Sequence, residues 1–184
     1  MQERIKDYMV AIDEFPIILD TATFIDAYLA LEKAQADYQA GIRKQRIVLV
    51  RDSSSRIVGK LSPLDLIRGL EPDFDSVVKV MPSTKAAAVD YVIKAMRQSA
   101  TLWSKPLEDL CGKAKSVMVR EFLRHPQVTQ VVQANDTLND ALHHFVIGGH
   151  DSLFVNDGTT LVGILRFSDV YRFIGDKIKG VCKG

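Results

Sequence analysis

Arg56-Ile57-Val58-Gly59-Lys60-Leu61-Ser62-Pro63-Leu64-Asp65-Leu66-Ile67-Arg68 returns later in the chain as Thr160-Leu161-Val162-Gly163-Ile164-Leu165-Arg166-Phe167-Ser168-Asp169-Val170-Tyr171-Arg172. Gly, Asp and Arg recur at identical offsets among matching apolar positions. This pattern reads as a tandem repeat whose units pack on each other. In each copy a short apolar run leads straight into a helical stretch that carries the Asp near its start.

The elements before this segment also repeat. Ile47-Val48-Leu49-Val50 and Ile57-Val58 flank Asp52-Ser53-Ser54-Ser55, and Leu153-Phe154-Val155 and Leu161-Val162 flank Asn156-Asp157-Gly158, so each copy contains a hairpin. Gly59 and Gly163 mark close strand packing or a bulge. Upstream, Thr23-Phe24-Ile25-Asp26-Ala27 and Thr137-Leu138-Asn139-Asp140-Ala141 have the pattern of a capping box, with Asp in place of Glu or Gln. Phe24, Ala27, Tyr28, Leu31 and Ala34 follow at helical spacing, as do Leu138, Ala141, Leu142 and Phe145. The stretch after Asp26 is longer than its counterpart after Asp140, and it extends the first helix to a stop at Gly41.

Further upstream, Pro16-Ile17-Ile18-Leu19 and Val128-Thr129-Gln130-Val131-Val132 are short apolar runs expected to be buried strands. Ile5-Lys6-Asp7-Tyr8-Met9 answers to Ala114-Lys115-Ser116-Val117-Met118, with a Met near the start of each copy. Each copy thus reads as strand, helix, strand, strand, helix.

Composition limits the function classes. The 184 residues carry a net charge of +1, so no basic face for nucleic acid is indicated. Arg43, Lys44 and Arg46 form one small basic cluster, read as a solvated helix end. Glu3, Lys6 and Asp7 stand where a signal peptide needs an apolar core, and no run is long and apolar enough to span a membrane. A cytoplasmic protein with no membrane contact is expected. Cys111 and Cys182 suggest neither a disulfide framework nor a metal site.

These features resemble the cystathionine-β-synthase (CBS) domain, here as a tandem pair, or Bateman module. The likeness rests on the element order, the Met near each start and the Gly-x-x-[Ser/Thr]-x-x-Asp pattern. It covers residues 3–70 and 114–176, with residues 71–113 as a helical connection. The resemblance implies an α/β (α+β) fold of two units related by a pseudo-twofold axis, commonly dimerised. It also implies clefts between the units that take an adenosine-containing ligand: AMP, ADP, ATP or S-adenosylmethionine. Such modules sense rather than catalyse, so a regulatory homodimer with no covalent cofactor is expected. With no effector domain in the sequence, the regulated partner is expected to be a separate protein. A dimerisation scaffold with empty clefts is the alternative reading, and an enzyme with an unrecognised site is a remote third.

The motif's chemistry is also open to direct argument. A strand ending at Leu61 or Leu165 and turning into a helix aims the helix's first N–H groups at an anion such as phosphate. Asp65 and Asp169 would repel phosphate, but each carboxylate is suited to accept two hydrogen bonds from a ribose diol. The resemblance implies the same role for Asp, hydroxyl and basic groups at the phosphates, and apolar strand residues around adenine. On that basis Ser62, Asp65 and Leu61 are candidates in the first copy, and Val128, Ser152, Leu165, Arg166, Ser168 and Asp169 in the second. Leu64 stands where a second hydroxyl is common in the family. Arg166 offers a bidentate phosphate contact that no hydroxyl can match, so the second copy is favoured.

A structural reading stands beside each of these. Ser62-Pro63-Leu64-Asp65 is equally a helix start, with Ser at the N-cap, Pro at the first position and Asp at the positive end of the dipole. Asp169 can cap a helix beside a surface Arg166, and Arg68 and Arg172 can form surface pairs. Gly148-Gly149-His150-Asp151 is either a helix stop or a pocket wall that includes Ser152. His143 and His144 are adjacent on a helix and diverge by about 100°, so they do not readily share a metal ion. No catalytic triad or Walker loop is legible. In the connection, Lys85–Met96 reads as a helix, Pro106–Leu110 as a further turn, and Trp103 as a candidate contact.

Overall fold

The computed structural model describes residues 2–70 and 107–182. The expectations for Lys85–Met96, Trp103 and Pro106 lie outside them. In chain order the elements are β1 (Val10–Ala11), β2 (Ile17–Leu19), α1 (Phe24–Gln39), β3 (Val48–Arg51), β4 (Ile57–Leu61), α2 (Pro63–Leu70), α3 (Leu107–Ser116), α4 (Val119–Phe122), β5 (Val131–Gln133), α5 (Leu138–Gly148), β6 (Ser152–Asp157), β7 (Thr160–Arg166) and α6 (Phe167–Cys182). Short 3-10 turns occur at Ile5–Asp7, Ile12–Glu14 and Val128–Gln130. The fold is mixed α/β, with the strand-helix-strand-strand-helix order in both copies.

The chain divides into two compact units, Pro16–Arg124 and Met1–Phe15 with His125–Gly184. The first contains the body of the first copy, and its sheet has the order β2-β3-β4. β2 is parallel to β3 and β3 antiparallel to β4. The second unit has the order β1-β7-β6-β5, with β5 parallel to β6 and β6 antiparallel to β7. Its extra strand β1 comes from the start of the chain and pairs antiparallel with β7.

Each body is therefore completed by the other copy's leading segment. In the second unit the N–H groups of Ile5 and Lys6 donate to the carbonyls of Asp136 and Ala134, and Leu138 N–H donates to Glu3 O. In the first unit the N–H groups of Val119 and Arg120 donate to the carbonyls of Ala22 and Asp20, and Phe24 N–H donates to Val117 O. The two networks superpose position by position, which corrects the alignment on Met9 and Met118. Glu3-Arg4-Ile5-Lys6-Asp7-Tyr8-Met9-Val10 corresponds to Val117-Met118-Val119-Arg120-Glu121-Phe122-Leu123-Arg124. Matching the two methionines displaces the register, because the residue equivalent to Met9 is Leu123.

Both capping boxes form. Asp26 N–H donates to Thr23 Oγ1 at 3.3 Å, while Thr23 N–H and Oγ1–H donate to Asp26 Oδ2 at 2.9 and 2.6 Å. Thr137 and Asp140 repeat this at 3.2, 3.0 and 2.7 Å. The threonine hydroxyl, followed by the threonine N–H, holds each carboxyl below its ordinary value. α1 ends at Gln39, and Gly41 takes a left-handed φ of +71°, as its reading as a helix stop requires.

The two cores are built from equivalent positions. Phe24, Ala27, Leu31, Val48, Val50, Leu61, Leu66 and Val119 are buried in the first unit. Leu138, Ala141, Phe145, Leu153, Val155, Leu165, Val170 and Ile5 take their places in the second. Phe24 with Leu31 in one helix answers to Leu138 with Phe145 in the other, so each helix buries one Phe and one Leu in opposite order. This reciprocal exchange conserves volume, which close packing requires. Tyr28, read as part of the buried stripe, is half exposed at 47%, because it lies at the edge of the arc occupied by Phe24, Ala27, Leu31 and Ala34.

Two strand expectations change. β2 forms, but Ile17 and Leu19 are exposed: strand alternation puts both on one face, while Ile18 between them packs against the core. Val128–Gln130 is a 3-10 turn rather than strand, closed by Gln130 N–H to Gln127 O at 2.8 Å and Gln127 N–H to Gln130 Oε1 at 3.2 Å. The strand begins only at Val131.

Both glycine readings hold together. The pairing slips one residue after Val50↔Gly59 and after Val155↔Gly163, giving the same bulge in both hairpins. A Cβ on Gly59 would lie 2.8 Å from Leu123 Cδ1 and 3.0 Å from Arg124 O; on Gly163 it would lie 2.6 Å from Val10 O and 2.8 Å from Met9 Sδ. The glycines let the leading segments cross.

Candidate functional site

The candidate residues cluster where the last strand of each copy turns into its last helix. In the second unit, β7 ends at Arg166, which pairs across the sheet with Ser152 at the start of β6. Ser152 is buried and its hydroxyl donates to Asp151 Oδ1 at 2.8 Å. Phe167 N–H, the first of α6, donates to Asp151 O at 2.9 Å. Gly148-Gly149 is a helix stop: α5 ends at Gly148, and Gly149 caps it at a φ of +62°. This stop and the Phe167–Asp151 bond bring Asp151 and Ser152 beside the head of α6. Ser168 lies exposed in the first turn of that helix.

Arg166 and Asp169 are bound to each other. The guanidinium Nε donates to Asp169 Oδ2 and Nη2 to Oδ1, both at 2.6 Å. The two side chains are 23% and 15% exposed, so the pair is partly withdrawn from water. Arg172 Nη1 stands 3.9 Å from Asp169 Oδ1. A bidentate, partly buried pair of this kind is stronger than a typical solvated ion pair. Spacing alone carried a signal for it, since the residue just before a helix lies within reach of the third helical residue, as in a capping box.

The first copy is wired differently. Asp65 Oδ2 accepts from the N–H of Ser62 at 2.8 Å and from its hydroxyl at 2.6 Å. Arg68 Nη1 donates to Asp65 Oδ1 at 3.4 Å. The carboxylate is thus engaged by its own helix start, as the structural reading of Ser62-Pro63-Leu64-Asp65 requires. Pro63 stands where Phe167 stands in the second copy. With no N–H to donate, it cannot make the bond that Phe167 makes to Asp151.

The apolar candidates are placed less favourably. Leu61 and Leu165 have no exposed surface, and each side chain packs in the core of its unit. Strand alternation points them inward, leaving their backbone for any ligand. Val128 is 90% exposed on its 3-10 turn. Sequence reasoning missed Thr129: its carbonyl accepts from His144 Nδ1 at 2.8 Å, and its Oγ1 is 3.1 Å from His150 Nε2. These contacts tie the turn before β5 to the end of α5. Among the described residues, no group of three His, Cys, Asp or Glu side chains could hold a metal ion. Among the same residues no helix is long and apolar enough to cross a membrane.

Comparison with known proteins agrees with this architecture. The family model described as CBS domain matches residues 114–176. A solved structure of CBSX2 in complex with AMP is 20% identical, with 96% of this chain and 98% of that one covered, at a TM-score of 0.57. CBSX2 from Arabidopsis thaliana is 18% identical in another structure, covering 97% and 99% at a TM-score of 0.58. A CBS domain-containing protein of unknown function from Bacillus anthracis reaches a TM-score of 0.60 at 14% identity, with 96% and 95% covered. No curated protein matches the sequence significantly. The second copy is a CBS domain, and the chain has the fold of a tandem CBS pair.

Proposed function

We propose that this CBS pair is a regulatory module that binds an adenosine-containing ligand, AMP, ADP, ATP or S-adenosylmethionine, and relays its bound state to a separate protein. The copies span residues 3–70 and 114–176. The observation that carries the reading is the group at the head of α6: Arg166 and Asp169, with exposed Ser168 and nearby Ser152. In this reading the Asp169 carboxylate takes the ribose diol, while Arg166, Ser168 and the first N–H groups of α6 take phosphate. The AMP bound to CBSX2 supports the ligand class. At the first copy Ser62 stands at the position of Arg166 and supplies no guanidinium there for a phosphate, which favours the second site. Regulation follows if the ligand binds one arrangement of the protein better than another. The module works in the cytoplasm and performs no chemistry.

Thermal unfolding against AMP, ADP, ATP, S-adenosylmethionine and NAD tests this. A ligand at 100 times its Kd adds about 2.7 kcal/mol of stability. Asp169→Ala should remove most of that gain, and an unchanged gain in the variant would refute the assignment.

A specific observation favours a second property, self-association. The second unit exposes Val146 and Ile147 on α5 and Tyr171 on α6; the first exposes Ile25, Tyr28 and Leu29 on α1 with Leu64 and Ile67 on α2. Exposed apolar side chains on the helices of each unit suit a homodimer, whether it senses a ligand or serves only as a scaffold.

A further inference from the structure

We infer that His144 and His150 are positioning residues that fix the turn Gln127–Gln130 as the wall against which the second site takes the flat base of its ligand. The inference rests on the nucleotide reading above. It adds a determinant of base binding to the groups already assigned to ribose and phosphate.

Val128 opens the 3-10 turn with 90% of its surface exposed. An apolar side chain suits the face of a base, and the contact returns most when the turn is fixed before the ligand arrives. Two histidines fix this turn from outside. The Thr129 carbonyl can only accept, so His144 Nδ1 carries the proton in their 2.8 Å bond. His150 Nε2 meets the Thr129 hydroxyl at 3.1 Å. His144 projects from α5 and His150 follows the stop at Gly149, so one turn is gripped both by the helix and by the loop that leaves it. Both histidines are half-buried. Gly148 belongs to the same arrangement: a Cβ there would collide with the His150 imidazole, so the ring can lie over the helix end only because that end lacks a side chain.

The grip reaches the rest of the site through three consecutive residues. His150 holds Thr129, Asp151 O accepts from Phe167 N–H at the head of α6, and Ser152 pairs across the sheet with Arg166. Three residues span at most about 11 Å, so the turn and the head of α6 flank one short segment. A ligand with its ribose at Asp169 and its phosphate at Arg166 leaves its base to lie along this segment, toward Val128. In the first copy Ala30 stands at the position of His144 and has no group to hold a turn. This tie is a feature of the second copy.

Titration calorimetry with AMP, ADP, ATP and S-adenosylmethionine on the full chain tests the inference, with His144→Ala made alone and together with Val128→Ala. His144→Ala should weaken the bound ligand by about threefold to tenfold. His144→Asn, whose amide brings a donor close to the place of Nδ1, should restore most of the loss. In the Val128→Ala background His144→Ala should cost clearly less, because the wall it positions has already lost its side chain. If His144→Ala does not fold, as judged by circular dichroism, Thr129→Val takes its place in the cycle, since it removes the hydroxyl at His150 while keeping the shape of the side chain. Equal losses in the two backgrounds, or no loss in either, overturn the positioning role and leave the nucleotide reading standing. Failure of the unaltered protein to bind any of the four ligands overturns both.

Discussion

The backbone N–H of Ile5 donates to the carbonyl of Asp136 at 3.0 Å, so the start of the chain closes the core of the second copy. Ile5 is fully buried there, as Val119 is in the first unit. Ile5→Ala should therefore destabilise the second unit by about 3 kcal/mol, and Val119→Ala the first unit by somewhat less. Urea unfolding would measure both losses. A chain that begins at residue 16 should lack a cooperative transition for the second unit, and a synthetic peptide of residues 1–15 should restore it.

Gly163→Ala should cost more than Gly59→Ala. A methyl group on Gly163 meets the backbone carbonyl of Val10 at 2.6 Å, whereas the nearest atom at Gly59 is the flexible Leu123 Cδ1 at 2.8 Å. Overpacking against backbone is relieved only by moving the strand, so a loss of about 1–3 kcal/mol is expected for Gly163→Ala. Differential scanning calorimetry would rank the pair.

The capping boxes give a pH dependence of known sign. Asp26 and Asp140 have their folded-state pKa values lowered by Thr23 and Thr137. Their contribution is thus present above the ordinary value of 3.8 and is lost as pH falls through the lowered folded-state values. Thr23→Ala should cost about 1 kcal/mol near neutral pH, and Thr137→Ala should act in the same direction. The difference between Thr23→Ala and the unaltered protein should shrink as the pH is taken below 3.8. Unfolding curves at pH 6 and at about pH 3 would show it.

Ile147 is 81% exposed and Tyr171 68% exposed. Ile147→Glu should leave stability within about 0.5 kcal/mol, as expected for a solvent-facing position, yet shift a homodimer to monomer. Sedimentation velocity distinguishes the outcomes: a dimer persisting in both Ile147→Glu and Tyr171→Glu would rule these positions out of the interface.

Much of the fold was legible because local chemistry and periodicity agreed. Thr23 with Asp26, and Thr137 with Asp140, announced helix starts, and the glycines announced the bulges. The exchange of leading segments was not legible, since hydrogen bonds between residues as distant as Ile5 and Asp136 leave no local periodicity. The similarity of Ile5-Lys6-Asp7-Tyr8-Met9 to Val119-Arg120-Glu121-Phe122-Leu123 is chemical, and matching methionine to methionine hid it. Val128 misled because an apolar side chain was read as buried, although Gln127 and Gln130 close a turn there. At the candidate site the residue types were readable, but their mutual engagement depended on rotamers. Arg166 and Asp169 were each assigned to a ligand group, and the pairing between them emerges only from side-chain geometry.

The crossing of the leading segments also bears on ancestry. A single ancestral copy with the same organisation would have carried the strap that seals a core but not the core that this strap seals. Its needs are met when two such chains trade straps, so a copy of this kind on its own would fold only as an exchanged pair. Two copies in one chain turn a trade between molecules into one within a molecule. This arrangement also removes the dependence on concentration that an exchanged dimer carries, and it lets the halves differ, as Ser62 and Arg166 do.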